Sequence, residues 1–68
     1  MLTATPYEAK MIAQPFAHFG VKVLLGGDHV GPYVRLIFPV EYFWAAAQVE
    51  PFHNGVRVMV EIETPPLG

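Results

Sequence analysis

The absence of cysteine is the strongest constraint on how this chain of 68 residues can fold. Small domains bury a low share of their surface, so they usually depend on disulfides, a metal ion or association with another chain. Without cysteine, disulfides and thiolate-bound metals are excluded. Hydrophobic residues nevertheless make up 53% of the chain, more than such a small interior holds. We therefore expect an exposed apolar patch that a partner protein or a second copy covers.

The charges and the apolar runs argue against two classes of function. The net charge is −2, with four lysines and arginines in all, which argues against a general nucleic-acid binder because such proteins neutralise phosphates. No apolar run approaches the roughly 20 residues that cross a membrane. Residues 1–10 lack the basic and apolar regions of a signal peptide. Together with the lack of cysteine, these features predict a cytoplasmic protein that does not act in a membrane.

Two segments carry the signals of helices. Thr5, Pro6 and Glu8 match an N-terminal cap, followed by apolar residues at helical spacing, and Pro15 predicts an end near Gln14. The second helix is predicted to start at Pro39 and to end before Pro51. Its apolar stripe should face the core and consists of Val40, Phe43, Trp44 and Ala47.

Three runs rich in β-branched residues predict strands at 21–25, 33–38 and 56–63. The first two are separated by the glycine-rich stretch 26–32, which predicts a hairpin with a loose loop. A turn at His53-Asn54-Gly55 precedes the third strand. The predicted fold is therefore one small α+β domain of order α-β-β-α-β. Its three-stranded mixed sheet carries two helices packed on one face, with flexible ends at 1–5 and 64–68.

Alternation along the strands divides the sheet residues between two faces. One face is wholly apolar and should support the helices: Val21, Val23, Leu25, Val34, Leu36, Phe38, Val56, Val58, Val60 and Ile62. The other mixes apolar and charged side chains, and its candidate partner-binding residues are Lys22, Leu24, Tyr33, Arg35, Ile37, Arg57 and Met59, beside Glu61 and Glu63. A solvent-facing sheet surface is usually more polar than this, which indicates a binding surface.

Three uses of this mixed surface are compatible with the sequence. We expect first that it forms a homodimer, either face to face or by edge pairing. It can instead dock another protein through anchors such as Tyr33 and Arg35. It can also bind RNA or single-stranded DNA, with bases stacked on Tyr33. Two acidic residues on that face, Glu61 and Glu63, argue against nucleic acid and are typical of charges that blunt a strand edge.

Few residues suggest catalysis. The chain has no serine or cysteine, so the commonest nucleophiles are missing, and we predict neither an enzyme nor a bound cofactor. The glycine-rich stretch leads into a strand and lacks the lysine of a phosphate-binding loop. His18 and His53 occupy matching positions in two similar phrases, at 13–23 and 47–58. They form a candidate metal pair if the first and third predicted strands run parallel.

The sequence therefore predicts a small, non-enzymatic protein-binding module that acts through an exposed sheet face or strand edge. By size and class it is comparable to adaptors, antitoxin-like proteins and inhibitors encoded by phages or mobile elements, including anti-CRISPR-type inhibitors. The alternatives are a nucleic-acid-binding module and a metal-dependent role of His18 and His53.

Overall fold

The computed structural model describes residues 2–64, and all but the first residue of the predicted flexible end 64–68 lies outside them. Helix α1 spans Pro6–Ala13 and is followed by a 3₁₀ segment, Gln14–Phe19. Strands β1 and β2 span Lys22–Asp28 and Gly31–Pro39. A 3₁₀ turn, Val40–Tyr42, leads into the one-turn helix α2, Phe43–Ala46. Strands β3, Phe52–His53, and β4, Val56–Glu63, complete the fold.

The capping signal at the first helix is confirmed. The hydroxyl of Thr5 accepts a hydrogen bond from the backbone N–H of Glu8 at 3.1 Å, and the Glu8 carboxylate accepts one from the N–H of Thr5 at 2.8 Å. This reciprocal pair satisfies two donors that the helix itself leaves unpaired. Just before the helix, Ala4 is buried and donates its N–H to the carbonyl of Gly26. Part of the predicted flexible end 1–5 is therefore packed on the sheet.

The α+β class is confirmed, but the sheet has four strands rather than three, in the order β1-β2-β4-β3. The additional strand β3 pairs only with the start of β4, through an Asn54-Gly55 turn in which both residues have positive φ. Such a turn is typical of a tight hairpin. Strand β3 was not predicted because two residues give too short a pattern to indicate a strand.

The hairpin of β1 and β2 is tighter than predicted. The two strands pair from Lys22 opposite Ile37 to Asp28 opposite Gly31, so Gly26 and Gly27 belong to a strand and not to a loose loop. Close packing requires glycine at position 27, because a Cβ atom there would collide with the backbone of Leu2. A Cβ atom at Gly26 would force the ring of Tyr33 to move.

Strand β2 pairs antiparallel with β1 and parallel with β4. The parallel pair is joined by α2, which lies against both strands on the same side as α1. We call this side the helix face and the opposite side the outer face. The division of residues between the two faces agrees with the predicted one, because Val34, Leu36 and Phe38 are fully buried on the helix face.

The predicted packing of the second helix is wrong. Phe43 is 64% exposed and Trp44 49% exposed, while Ala45 and Ala46 are buried against the sheet. The segment has only one α-helical turn, and small side chains let its backbone approach the strands closely. Trp44 instead packs edge-on against Phe19, with ring centroids 5.4 Å apart.

The direction of the backbone groups along β4 follows from one hydrogen bond. The N–H of Val58 donates outward to the carbonyl of Pro51 at 2.8 Å. Because backbone groups alternate between the two edges of a strand, the N–H groups of Val60 and Ile62 also point outward. Those of Met59 and Glu61 point inward, toward β2.

Proline substitutions test this alternation. We expect Val60→Pro to fold and to melt within about 5 °C of wild type, because proline removes only an outward N–H and is tolerated on edge strands. Glu61→Pro removes an inward donor and leaves a β2 carbonyl unpaired, at a cost of about 1–3 kcal/mol. That cost lowers the melting temperature by roughly 4–24 °C. Equal losses for the two variants, measured by circular dichroism, would contradict the assigned directions.

Candidate strand-docking edge and outer face

The predicted partner-binding residues all lie on the outer face. In the register of the strands, Leu24 lies opposite Arg35 and Arg35 opposite Met59. The neighbouring rows place Tyr33 beside Arg57, and Ile37 between Lys22 and Glu61. The structure thus brings the seven residues onto one surface, as the alternation predicts.

Each basic residue of the outer face is already paired with a carboxylate of the same chain. The ammonium of Lys22 lies 3.0 Å from the Glu63 carboxylate. Arg35 pairs with Glu61, and this hydrogen bond raises the pKa of Arg35 above its ordinary range. Arg57 pairs with Asp28. These ion pairs neutralise the positive charge that a nucleic acid would need at this surface.

Arg57 fastens the β1–β2 turn. One of its terminal nitrogens donates to Asp28 and, at 2.8 Å, to the carbonyl of Gly31. The guanidinium also lies 5.4 Å from the centre of the Tyr33 ring, close enough for a cation–π interaction. The side chain of Arg57 is only 21% exposed, so its contacts are made within the chain. The ring of Tyr33 is likewise engaged within the chain, because it lies against Gly26.

The Asp28 carboxylate is held in its charged form. The hydrogen bond from Arg57 is the main reason that the pKa of Asp28 lies below its ordinary value of 3.8. Partial burial opposes this effect, and the backbone N–H groups of Val30 and Gly31 support it. Together these contacts make Asp28 a pH-sensitive part of the turn.

The candidate metal pair is not assembled. His18 precedes β1 and lies at the end of the sheet where β2 finishes, whereas His53 precedes β4 and lies where β2 begins. The condition for their proximity fails because β1 runs antiparallel to β2, and β4 runs parallel to β2. Between residues 2 and 64, no group of three or more histidine, aspartate or glutamate residues is placed to hold a metal ion.

The outer edge of β4 is the feature that the sequence analysis did not locate. Within this edge, strand β3 pairs with Val56 and Arg57, and the carbonyl of Pro51 accepts a hydrogen bond from the N–H of Val58. Within residues 2–64, no backbone group pairs with the outward groups of Val60 and Ile62. Their apolar side chains remain 37% and 39% exposed on the helix face. The edge therefore combines free hydrogen-bonding groups with incompletely covered apolar side chains.

An apolar groove adjoins the covered part of the same edge. It has a volume of about 200 Å³ and runs between α1 and the segment that leads from α2 into β3. Its lining includes Met11, Phe16, Val49, Phe52 and His53. Phe52 is 62% exposed at the groove margin. Exposed apolar side chains thus continue from this groove to the uncovered part of β4.

Comparison with known proteins supplies no relative: no protein-family model, curated protein or solved structure matches the chain. Within the described part of the chain, no helix has the length and apolar character needed to cross a membrane.

Acid titration tests the role of Asp28. A carboxyl group with a lowered pKa stabilises the fold fully above its unfolded pKa, and this stabilisation is lost as the pH falls through the folded pKa. We therefore expect wild type to melt above Asp28→Asn near about pH 6, and the difference to shrink toward about pH 2.5. Asparagine retains an acceptor for the N–H of Val30, which makes it a matched replacement. A difference independent of pH would contradict the ionic contribution.

Proposed function

We propose that this chain is a small protein-binding module that recognises an extended segment of another protein by adding it as a strand to the outer edge of β4. The observation that carries the proposal is the pair of outward backbone positions at Val60 and Ile62, which no backbone group of residues 2–64 pairs with. In strand addition, the backbone hydrogen bonds supply affinity, and alternating side-chain contacts supply specificity.

The surroundings of the edge support this mode of binding. A strand placed beside Val60 and Ile62 would cover their exposed side chains and remove apolar surface from water, which contributes about 25 cal/mol per Å². Helix α2 lies against β4 on the same face, and Phe43 of this helix is 64% exposed. Aromatic residues of this kind are enriched where interfaces carry most of their binding energy.

The outer face is the less favoured docking surface. Its three cations are engaged in ion pairs, which leaves little uncompensated positive charge for an acidic partner. The same pairs weaken the nucleic-acid alternative. The roles that were predicted from size and class, namely inhibitor, adaptor or antitoxin-like protein, are all compatible with strand addition and stay part of the proposal. The prediction that the chain is not an enzyme also stays part of the proposal.

A peptide selection tests the proposal. Peptides selected from a random library on wild-type protein should shift the backbone NMR signals of Met59–Glu63 upon binding. We expect Val60→Pro to lose about twofold to twelvefold in affinity, because proline removes the outward N–H of this position and with it one backbone hydrogen bond worth about 0.5–1.5 kcal/mol.

The matched control is Arg35→Gln, which alters the outer face and leaves the edge intact. Its affinity for the same peptides should stay close to that of wild type. Selected peptides that shift outer-face signals, bind Val60→Pro unchanged and fail to bind Arg35→Gln would overturn the proposal in favour of face docking.

A further inference from the structure

The charges along β4 distinguish between the possible occupants of its edge. Glu61 and Glu63 alternate along β4 with Val60 and Ile62, and their side chains lie on the outer face. These two side chains are 47% and 46% exposed. On the helix face, Val60 and Ile62 present apolar side chains. Any strand that pairs here meets an alternation of acidic and apolar residues.

A second copy of the chain does not suit this edge. A two-fold dimer through strand edges pairs the two strands antiparallel. If Val60 lies opposite Ile62 of the copy, Glu61 lies opposite Glu61. If Ile62 lies opposite itself, Glu61 lies opposite Glu63. Like charges directly opposite one another on neighbouring strands are destabilising.

Another register places Val60 opposite itself and Ile62 opposite Val58. The N–H of Val58 already donates to the carbonyl of Pro51. This register therefore requires β3 and the segment that leads into it to move. In the first two registers the two glutamates therefore act against self-pairing, and charged side chains are a common protection of exposed sheet edges.

We propose that the edge of β4 selects a foreign strand that alternates basic and apolar residues, an inference that rests on the proposed function. Lysine or arginine of the partner lies opposite Glu61 and Glu63 on the outer face. Apolar residues of the partner lie opposite Val60 and Ile62 on the helix face. The two carboxylates are bonded to Arg35 and Lys22 from the inner side, and their exposed halves leave room for a second cation.

Three short synthetic peptides test this selectivity: strands in which valine alternates with lysine, with glutamine or with glutamate. Binding is followed by the NMR shifts of the β4 amides. We expect affinity to fall in the order lysine, glutamine, glutamate, with about a threefold to tenfold loss from lysine to glutamate, since each cross-strand charge pair contributes modestly. The preference should weaken at high salt.

Charge reversal provides the decisive comparison. The double variant Glu61→Lys, Glu63→Lys should bind the glutamate peptide better than the lysine peptide. The control Glu41→Lys, Glu50→Lys has the same net charge, places its changes outside the strands, and should keep the wild-type order. Thermal melting of both variants confirms that they fold.

The outcomes separate this inference from the proposed function. If all three peptides bind the edge equally, or if the control variant reverses the order as well, the selectivity is wrong and strand addition stands. If none of the peptides shifts the β4 amides, strand addition itself is contradicted. If those amides shift with protein concentration alone, the edge accepts a second copy, which overturns the proposal.

Discussion

Strand β2 is the element on which the rest of the structure depends. It pairs with β1 along one edge and with β4 along the other. Its helix-face side chains, Val34, Leu36 and Phe38, have no solvent exposure. Both helices pack over this strand, so the core is centred on it and becomes thinner toward the edges of the sheet. The strands on either side of β2 are consequently only half covered.

The surplus of apolar residues is explained by this arrangement. Helix α1 has eight residues and α2 has four, which is too little to cover the helix face of a four-stranded sheet. Val23 and Leu25 on one side, and Val60 and Ile62 on the other, each keep more than a third of their surface exposed. The expected apolar patch thus lies along the sheet edges and on the outward side of α2. Self-association through a surface other than the β4 edge stays a prediction.

Local patterns predicted the elements and faces well because they depend on neighbours in the sequence. The cap at Thr5 and the alternation along β2 and β4 are of this kind. The inward side of α2 was mispredicted because periodicity cannot show that only alanines fit where the helix meets the sheet. The edge at Val60 and Ile62 depends on strand order, which involves residues far apart in the chain. The Asn54-Gly55 turn was the one local sign that a further strand precedes β4.

The ion pairs of the outer face also follow from strand order. Parallel pairing of β2 and β4 brings Arg35 beside Met59 and lets it reach Glu61. It likewise brings Arg57 within reach of Asp28 at the β1–β2 turn. The basic residues that the sequence offered as binding anchors are therefore paired with carboxylates of the same chain, and the docking site that we propose is instead the backbone edge of β4.

Amide hydrogen exchange along β4, measured residue by residue by NMR at low protein concentration, tests the central claim most directly. An N–H bonded within the sheet exchanges only when the structure opens, whereas an unpaired edge N–H exchanges rapidly. The account predicts an alternating pattern, with slow exchange at Met59 and Glu61 and fast exchange at Val60 and Ile62. Uniformly slow exchange through all four positions would contradict it, because the edge proposed as the docking site would then already be paired.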